Sequence, residues 1–223
     1  SNSYLNTLGT AYKLTDEITL LAKNILNYTE NKAADSGDRI VNRFQLGAAY
    51  RDVETNRFDA LSKIEYRYEN NETTLSNPYE RNVYILSTHI NYHPVNDIHL
   101  SGQYAMKYLD ETYDFIQTSG MTQMLNTRFM YDINERWDTS VNTGVMWNNV
   151  SDGVRYLAGV EVGYLLATNL WMSGGYNFIG YHDKDLTDGD TTMDGAYFRF
   201  RFKFDENVFN RKNRFVNKAL EPK

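Results

Sequence analysis

Apolar and polar residues alternate with a period of two along nearly the whole chain, and this constrains the fold more than any single motif. In residues 39–51, Ile40, Phe44, Leu46, Ala48 and Tyr50 share one side of an extended chain. Arg39, Val41, Arg43, Gln45, Gly47 and Arg51 take the other. Trp137, Val141, Val145 and Trp147 oppose Asp138, Ser140 and Asn142. Phe198, Phe200, Phe202 and Phe204 alternate with Arg199, Arg201 and Lys203. Half-buried β-strands produce this alternation and helices do not. Eleven strands are expected, near residues 4–14, 18–29, 39–51, 57–69, 82–92, 98–109, 121–132, 137–148, 154–165, 170–180 and 193–204. Residues 17–26 also fit an amphipathic helix, but strands flank them on both sides.

Composition narrows the classes. The 223 residues suit one large barrel or sandwich. Aromatic residues reach 14%, which opposes disorder. No run approaches the roughly 18 apolar residues that a membrane-spanning helix needs. With no cysteine, disulfides, zinc–thiolate centres and thiol nucleophiles are excluded. A formal net charge of -6 carries no nucleic-acid footprint.

The connections form a second pattern. Residues 15–17, 52–56, 94–97, 133–136 and 167–169 read as short turns, while 30–38, 70–81, 110–120, 149–153 and 181–192 read as longer polar loops. Short and long alternate, as in an antiparallel meander with one trimmed end. A Greek-key sandwich would not keep that order.

A repeat of about forty residues runs through the hairpins. Ile18, Phe58, Ile98, Trp137 and Leu170 follow the short turns, and Tyr28, Tyr68, Tyr108 and Trp147 stand ten residues beyond the first four. Ten is even, so the two members of each pair share a face. At about 3.3 Å per residue the pair spans roughly 33 Å, or roughly 25 Å once tilted by about 40°. That is the height of the apolar band on outer-membrane barrels. Tyr28, Phe58, Tyr68, Tyr108, Trp137 and Trp147 are therefore expected as aromatic girdles at its two edges. The competing reading is a sandwich whose core edges are aromatic. An unpaired strand edge in hydrocarbon costs several kcal/mol, so the membrane reading demands closure. The expected fold is all-β, a transmembrane antiparallel up-and-down barrel of about eleven strands in this chain and twelve or more when closed.

The other face is then the lumen. It carries Lys13, Lys23, Arg39, Arg43, Arg51, Lys63, Arg67, Lys107, Arg128, Arg155, Arg199, Arg201 and Lys203, against Asp59, Glu65, Asp132, Asp138 and Glu161. The remaining acid falls mostly in the loops, including Glu69, Glu72, Glu80, Asp110, Glu111, Asp114, Asp183, Asp185, Asp188 and Asp190. Two readings follow: charges that pair across the interior and hold it shut, or a water-filled pore that prefers anions.

The segments 174–186 (GGYNFIGYHDKDL) and 195–206 (GAYFRFRFKFDE), with the hairpin units 46–51 (LGAAYR), 57–61 (RFDAL) and 8–13 (LGTAYK), resemble a known group. It is the C-terminal outer-membrane barrel domains of very large Gram-negative surface proteins. The resemblance implies a barrel over residues 1–204 that anchors a larger surface protein, followed by a short basic periplasmic tail over 205–223. Gly195, Phe198, Phe200, Phe202 and Phe204 are similar to the terminal signal read by the barrel-assembly machinery. Lipid and lipopolysaccharide are the other expected partners; no cofactor and no nucleic acid is expected. With short turns in the periplasm and long loops outside, eleven strands put Ser1 outside and the C-terminus in the periplasm. The odd count implies at least one further strand, from upstream sequence or from another chain.

Catalytic signals are weak. His89 and His99 fall on adjacent strands with Ser87 and Ser101 nearby, but a Ser–His–acid set needs hydrogen-bond contact and a third member. Lumen polarity explains the same spacing, and no enzymatic activity is expected. The run 183–190 has a calcium-loop flavour but lacks the twelve-residue pattern and its closing Glu, so it reads as a solvated acidic loop.

Overall fold

The computed structural model describes residues 1–32, 37–73, 78–114, 116–150, 153–167, 170–187 and 192–202. Eleven strands follow one another: β1 (Asn2–Lys13), β2 (Ile18–Glu30), β3 (Arg39–Arg51), β4 (Phe58–Asn71), β5 (Tyr79–Val95), β6 (Ile98–Tyr113), β7 (Ile116–Asp132), β8 (Trp137–Asn148), β9 (Gly153–Ala167), β10 (Leu170–Ile179) and β11 (Gly195–Phe202). They form one sheet in chain order, and each strand runs antiparallel to its neighbours. This is the expected up-and-down meander. The sheet is not closed: β1 and β11 each pair with one neighbour. The tail from residue 205 and the positions Lys203 and Phe204 lie outside the described residues.

Local chemistry sets the turns. Thr15 accepts from the Glu17 and Ile18 amides at 3.2 and 3.0 Å. Asp52 accepts from Glu54 and Thr55 at 3.1 and 3.0 Å, and Asn134 from Arg136 and Trp137 at 2.9 and 3.1 Å. Each short polar side chain stands in for a backbone acceptor, which reverses the chain in few residues. Asn56 supplies a left-handed backbone at φ 53. At the far end of β5, Pro94 cannot donate to the ladder, and the register shifts between Tyr92 and Val95.

One expected long loop is absent. Residues 110–120 are mostly strand, because β6 and β7 continue pairing up to Tyr113 opposite Ile116. The turn there is tight, and Asp114 takes φ 44 to make it. Thr112, Tyr113, Ile116 and Thr118 are β-prone residues, and their pairing outweighs the polar character of the segment. Similarly β5 starts at Tyr79 and ends at Val95, beyond the expected 82–92.

Pairing carries one parity around the sheet. From Arg43 the chain of direct partners runs to Arg67, Val83, Leu109 and Gly120, so all lie on one side. That inner side is concave, since residues on non-adjacent strands meet there: Asn142 of β8 donates to the Tyr197 hydroxyl of β11 at 3.3 Å. Val83, Ile85, Ala105, Met124, Met146 and Leu157 are buried on it. Toward β1 it opens, and Leu5 and Leu21 are exposed. The outer side inverts the usual order. Phe44, Leu46, Ile64, Leu125, Val141, Val160, Phe198 and Phe200 are all exposed.

Met124 is fully buried at the centre of the inner apolar cluster. Met124→Ala is expected to destabilise the folded chain by about 2–5 kcal/mol, read as a lowered denaturant midpoint for unfolding from detergent micelles.

Candidate functional site: the charged inner face

Every basic and acidic residue expected on the inner side and lying within the described residues is on that side. The sequence of direct partners Arg39–Asn71, Arg43–Arg67, Gln45–Glu65, Gly47–Lys63 and Arg51–Asp59 shows this for β3 and β4. Lys107 lies opposite Thr122, Arg128 opposite Asn142, Asp132 opposite Asp138, and Arg155 opposite Met146. Glu161 stands beside Ser140, while Arg199 and Arg201 lie opposite Ser173 and Trp171. Lys13 and Lys23 follow in the same parity through Thr19 and Gly9. Lys13 reaches back to Asp16 in the turn at 2.6 Å.

Most of these charges are paired. Glu65 is buried and holds Arg67 at 2.8 Å, Lys63 at 3.2 Å and the Gln45 amide at 2.8 Å. Glu161, 2% exposed, holds Arg128 at 3.3 Å and Arg199 at 3.8 Å, and the Tyr197 hydroxyl donates to it at 3.0 Å. Tyr197 lies over Gly175, where any side chain would collide with its ring. Asn91 donates to Asp59 at 2.7 Å. Arg43, Arg155 and Arg201 make no ion pair among the described residues.

The interior also contains acid that the sequence reading assigned to loops. Glu69 lies within β4 and accepts from Arg39 at 2.6 Å and from Tyr79 at 2.7 Å; Glu111 lies within β6 and pairs with Arg81 at 2.7 Å. Both segments are strand, so their odd-numbered residues turn inward. The larger correction concerns the run 183–190, which was expected to be a solvated acidic loop. Its described part, with the rest of residues 181–187, folds into the concavity. Tyr181 and Leu186 are buried among Val83, Ile85, Ala105 and Met124. Tyr181 donates to Asn126, in space that a side chain at position 144 would fill. Lys107 binds Asp183 at 2.6 Å and Asp185 at 3.4 Å, and Arg67 binds Asp185 at 2.9 Å. Gln103 donates to the Leu186 carbonyl at 3.3 Å. Asp183 and Asp185 are thus committed to cations of β6 and β4. Asp188 and Asp190 lie outside the described residues. The signal for this loop was present: Tyr181 and Leu186 are apolar residues in an otherwise polar run.

Below this inward loop lies a polar cavity of about 270 Å³, bordered by β5–β9, β11 and Thr192. His89 borders it, and its Nε2 lies 3.3 Å from Ser87 Oγ. His99 Nε2 contacts Asp132 at 3.0 Å, and the His93 ring sits edge-on to it at 4.4 Å. The serine and the carboxylate therefore belong to different histidines.

The girdle residues stand on the outer face as expected. Tyr4 stacks on Tyr28 at 6.3 Å, and Tyr66, Tyr84 and Tyr108 follow one another at 5.0 and 6.3 Å toward the end with the longer loops. Near the opposite end Tyr50 meets Phe58 at 5.8 Å and Trp137 meets Tyr164 at 4.6 Å. Trp147 shares the outer parity of Trp137, as do Phe198, Phe200 and Phe202 on β11; Gly195, at φ 110, begins that strand.

No family profile matches the chain, and no curated protein matches it. Among solved structures it is similar to the toluene transporter TodX of Pseudomonas putida, with 11% identity and a TM-score of 0.46. That similarity covers 91% of this chain and 74% of the transporter.

Burial pushes the Asp185 carboxyl up, but the hydrogen bond and charge of Arg67, with the charge of Lys107, outweigh it and hold the group below its ordinary value. A depressed carboxylate stabilises the folded arrangement above the ordinary value of about 4 and loses that contribution as pH falls through the lower folded value. A spin label on Lys184→Cys, which would be the chain's sole thiol on an exposed position, reads the loop directly. The label is expected to be immobilised at neutral pH and freed below about pH 4, and to be mobile at neutral pH in Arg67→Gln/Lys107→Gln.

Proposed function

We propose that the chain is an outer-membrane β-barrel that anchors a larger cell-surface protein or assembly in a bacterial outer membrane, with an obstructed interior in place of an open pore. One observation carries the membrane reading: the apolar residues face outward and the charged residues face inward. In water that order would expose a continuous apolar surface far beyond what a monomeric soluble protein leaves uncovered. In lipid it is the order expected, with aromatic rows where headgroups meet hydrocarbon. The touching rows around Tyr84 and around Trp137 support two such levels. Hydrocarbon also requires the free edges of β1 and β11 to find partners, in each other or in further strands.

The inward loop supports the anchor over the pore. Residues 181–187 occupy the interior and are tied to β4 and β6 through Arg67 and Lys107. Glu69, Glu111, Asp183 and Asp185 bring four carboxylates inside, against one further cation, Arg81, so the basic surplus on which an anion pore relies shrinks. By the general rule for such barrels the end with the turns at 14–17, 52–57, 96–97 and 133–136 faces the periplasm and the loop end faces outward. Lipid, lipopolysaccharide and the assembly machinery are the partners this reading implies, and Phe198, Phe200 and Phe202 offer the exposed aromatic edge for the last. A passive anion-preferring channel is the second reading, favoured by the inner Arg43, Arg155 and Arg201, which lack ion pairs among the described residues.

The refolded chain is expected to migrate in a heat-modifiable way on gels and to show no steady conductance in planar bilayers; persistent anion-selective steps would replace the anchor with the channel. Val141 lies between Trp137 and Trp147 on the outer face. Val141→Arg is expected to lower stability in lipid vesicles by about 2–4 kcal/mol, and an unchanged unfolding midpoint would defeat the membrane reading.

A further inference from the structure

We infer that the cavity beneath the inward loop is a binding site for a small oxyanion, a carboxylate or a phosphate. The inference rests on the reading of the inner face as a sheltered lumen. Arg128 and Arg199 both border the cavity, yet they share a single carboxylate, Glu161, which contacts them at 3.3 and 3.8 Å. A guanidinium carries five N–H donors in a planar fork, and one carboxylate at these distances satisfies few of the ten that the two residues offer. The rest of the lining supplies neutral hydrogen-bonding groups: His89, Ser101 and Asn142. Asn142 Nδ2 spends one contact on Tyr197 at 3.3 Å.

Thr192 is the independent observation. It borders the same cavity, is 5% exposed, and its Oγ1 has no hydrogen-bond partner among the described residues. A buried hydroxyl without a partner costs free energy unless something in the cavity satisfies it. An oxygen-rich anion would satisfy it and the free guanidinium donors together, which an apolar solute would not. The volume of about 270 Å³ is at the small end of ligand sites, which suits a small-molecule anion and excludes a polymer. The loop roofs the site through Gln103 and Asn126, two more of its lining residues, which hold Leu186 and Tyr181.

Titration calorimetry on the refolded full chain in detergent, at fixed ionic strength, tests the site with inorganic phosphate and with succinate, and with chloride as the control. Saturable binding of one oxyanion per chain is expected, and whichever probe binds more tightly assigns phosphate or carboxylate. Arg199→Gln is expected to weaken it at least tenfold and Thr192→Val about threefold, while Arg43→Gln, on the same face but outside the lining, leaves it unchanged. Equal loss in Arg43→Gln would mean diffuse attraction by the interior and overturn the site. So would absence of saturable binding in protein that shows the heat-dependent gel shift. Protein without that shift would instead count against the barrel reading itself.

Discussion

Register is the constraint on which the rest of this structure depends. In an antiparallel ladder directly opposed residues share a face, and a slip of one position exchanges the two faces of a whole strand. Here the ladder runs from β1 to β11 with register shifts only at the ends of the β5–β6 and β9–β10 pairings, so a single parity passes through the middle of every strand. Arg43 opposite Arg67, Ser101 opposite Arg128 and Ser140 opposite Glu161 are consequences of that one choice. A slip in β4 would send Lys63, Glu65 and Arg67 outward and draw Ile64 and Tyr66 inward. The same slip would withdraw Arg67 from Asp185 and leave that carboxylate with Lys107 alone.

The interior is polar, and its charges are sheltered enough to need partners. Burying a carboxylate alone is expensive, and removing one member of a buried pair leaves the other uncompensated. Glu65 and Glu161 are both nearly inaccessible, and each gathers more than one donor. The two clusters differ in one respect. Around Glu65 the cation Arg67 also binds Asp185, so charge is shared between the sheet and the inward loop. Around Glu161 two guanidiniums, Arg128 and Arg199, meet one carboxylate at the border of the cavity. The first arrangement fastens the loop; the second sets two cations on the cavity wall.

The period of two made the meander, the strand count and the facing of nearly every named residue legible from sequence. Those features depend on local alternation, which survives in any single chain. Strand ends at 110–120 were not legible, since Tyr113 and Ile116 gain their strand character from each other across the turn. Glu69 and Glu111 were misplaced for the same reason: a charge at a strand end reads as loop until its cross-strand partner is known. The inward course of 181–187 depends on contacts with residues more than fifty positions away, such as Asn126 and Lys107. No local pattern encodes such a contact. The two apolar residues in the loop hinted at burial, without indicating where.

The loop also links two parts of the fold that are otherwise far apart in the sheet. It leads from β10 into β11, an edge strand with one hydrogen-bonded neighbour, and on its way it is fastened to β4 and β6. A short edge strand gains half the backbone hydrogen bonds of a central one, and frays accordingly. Fastening the preceding loop to β4 and β6 helps hold β11 beside β10. The same contacts fill part of the interior. Filling the interior and stabilising the last strand are therefore one physical act in this chain, and a version that released Asp183 and Asp185 would also loosen β11, an edge of the sheet.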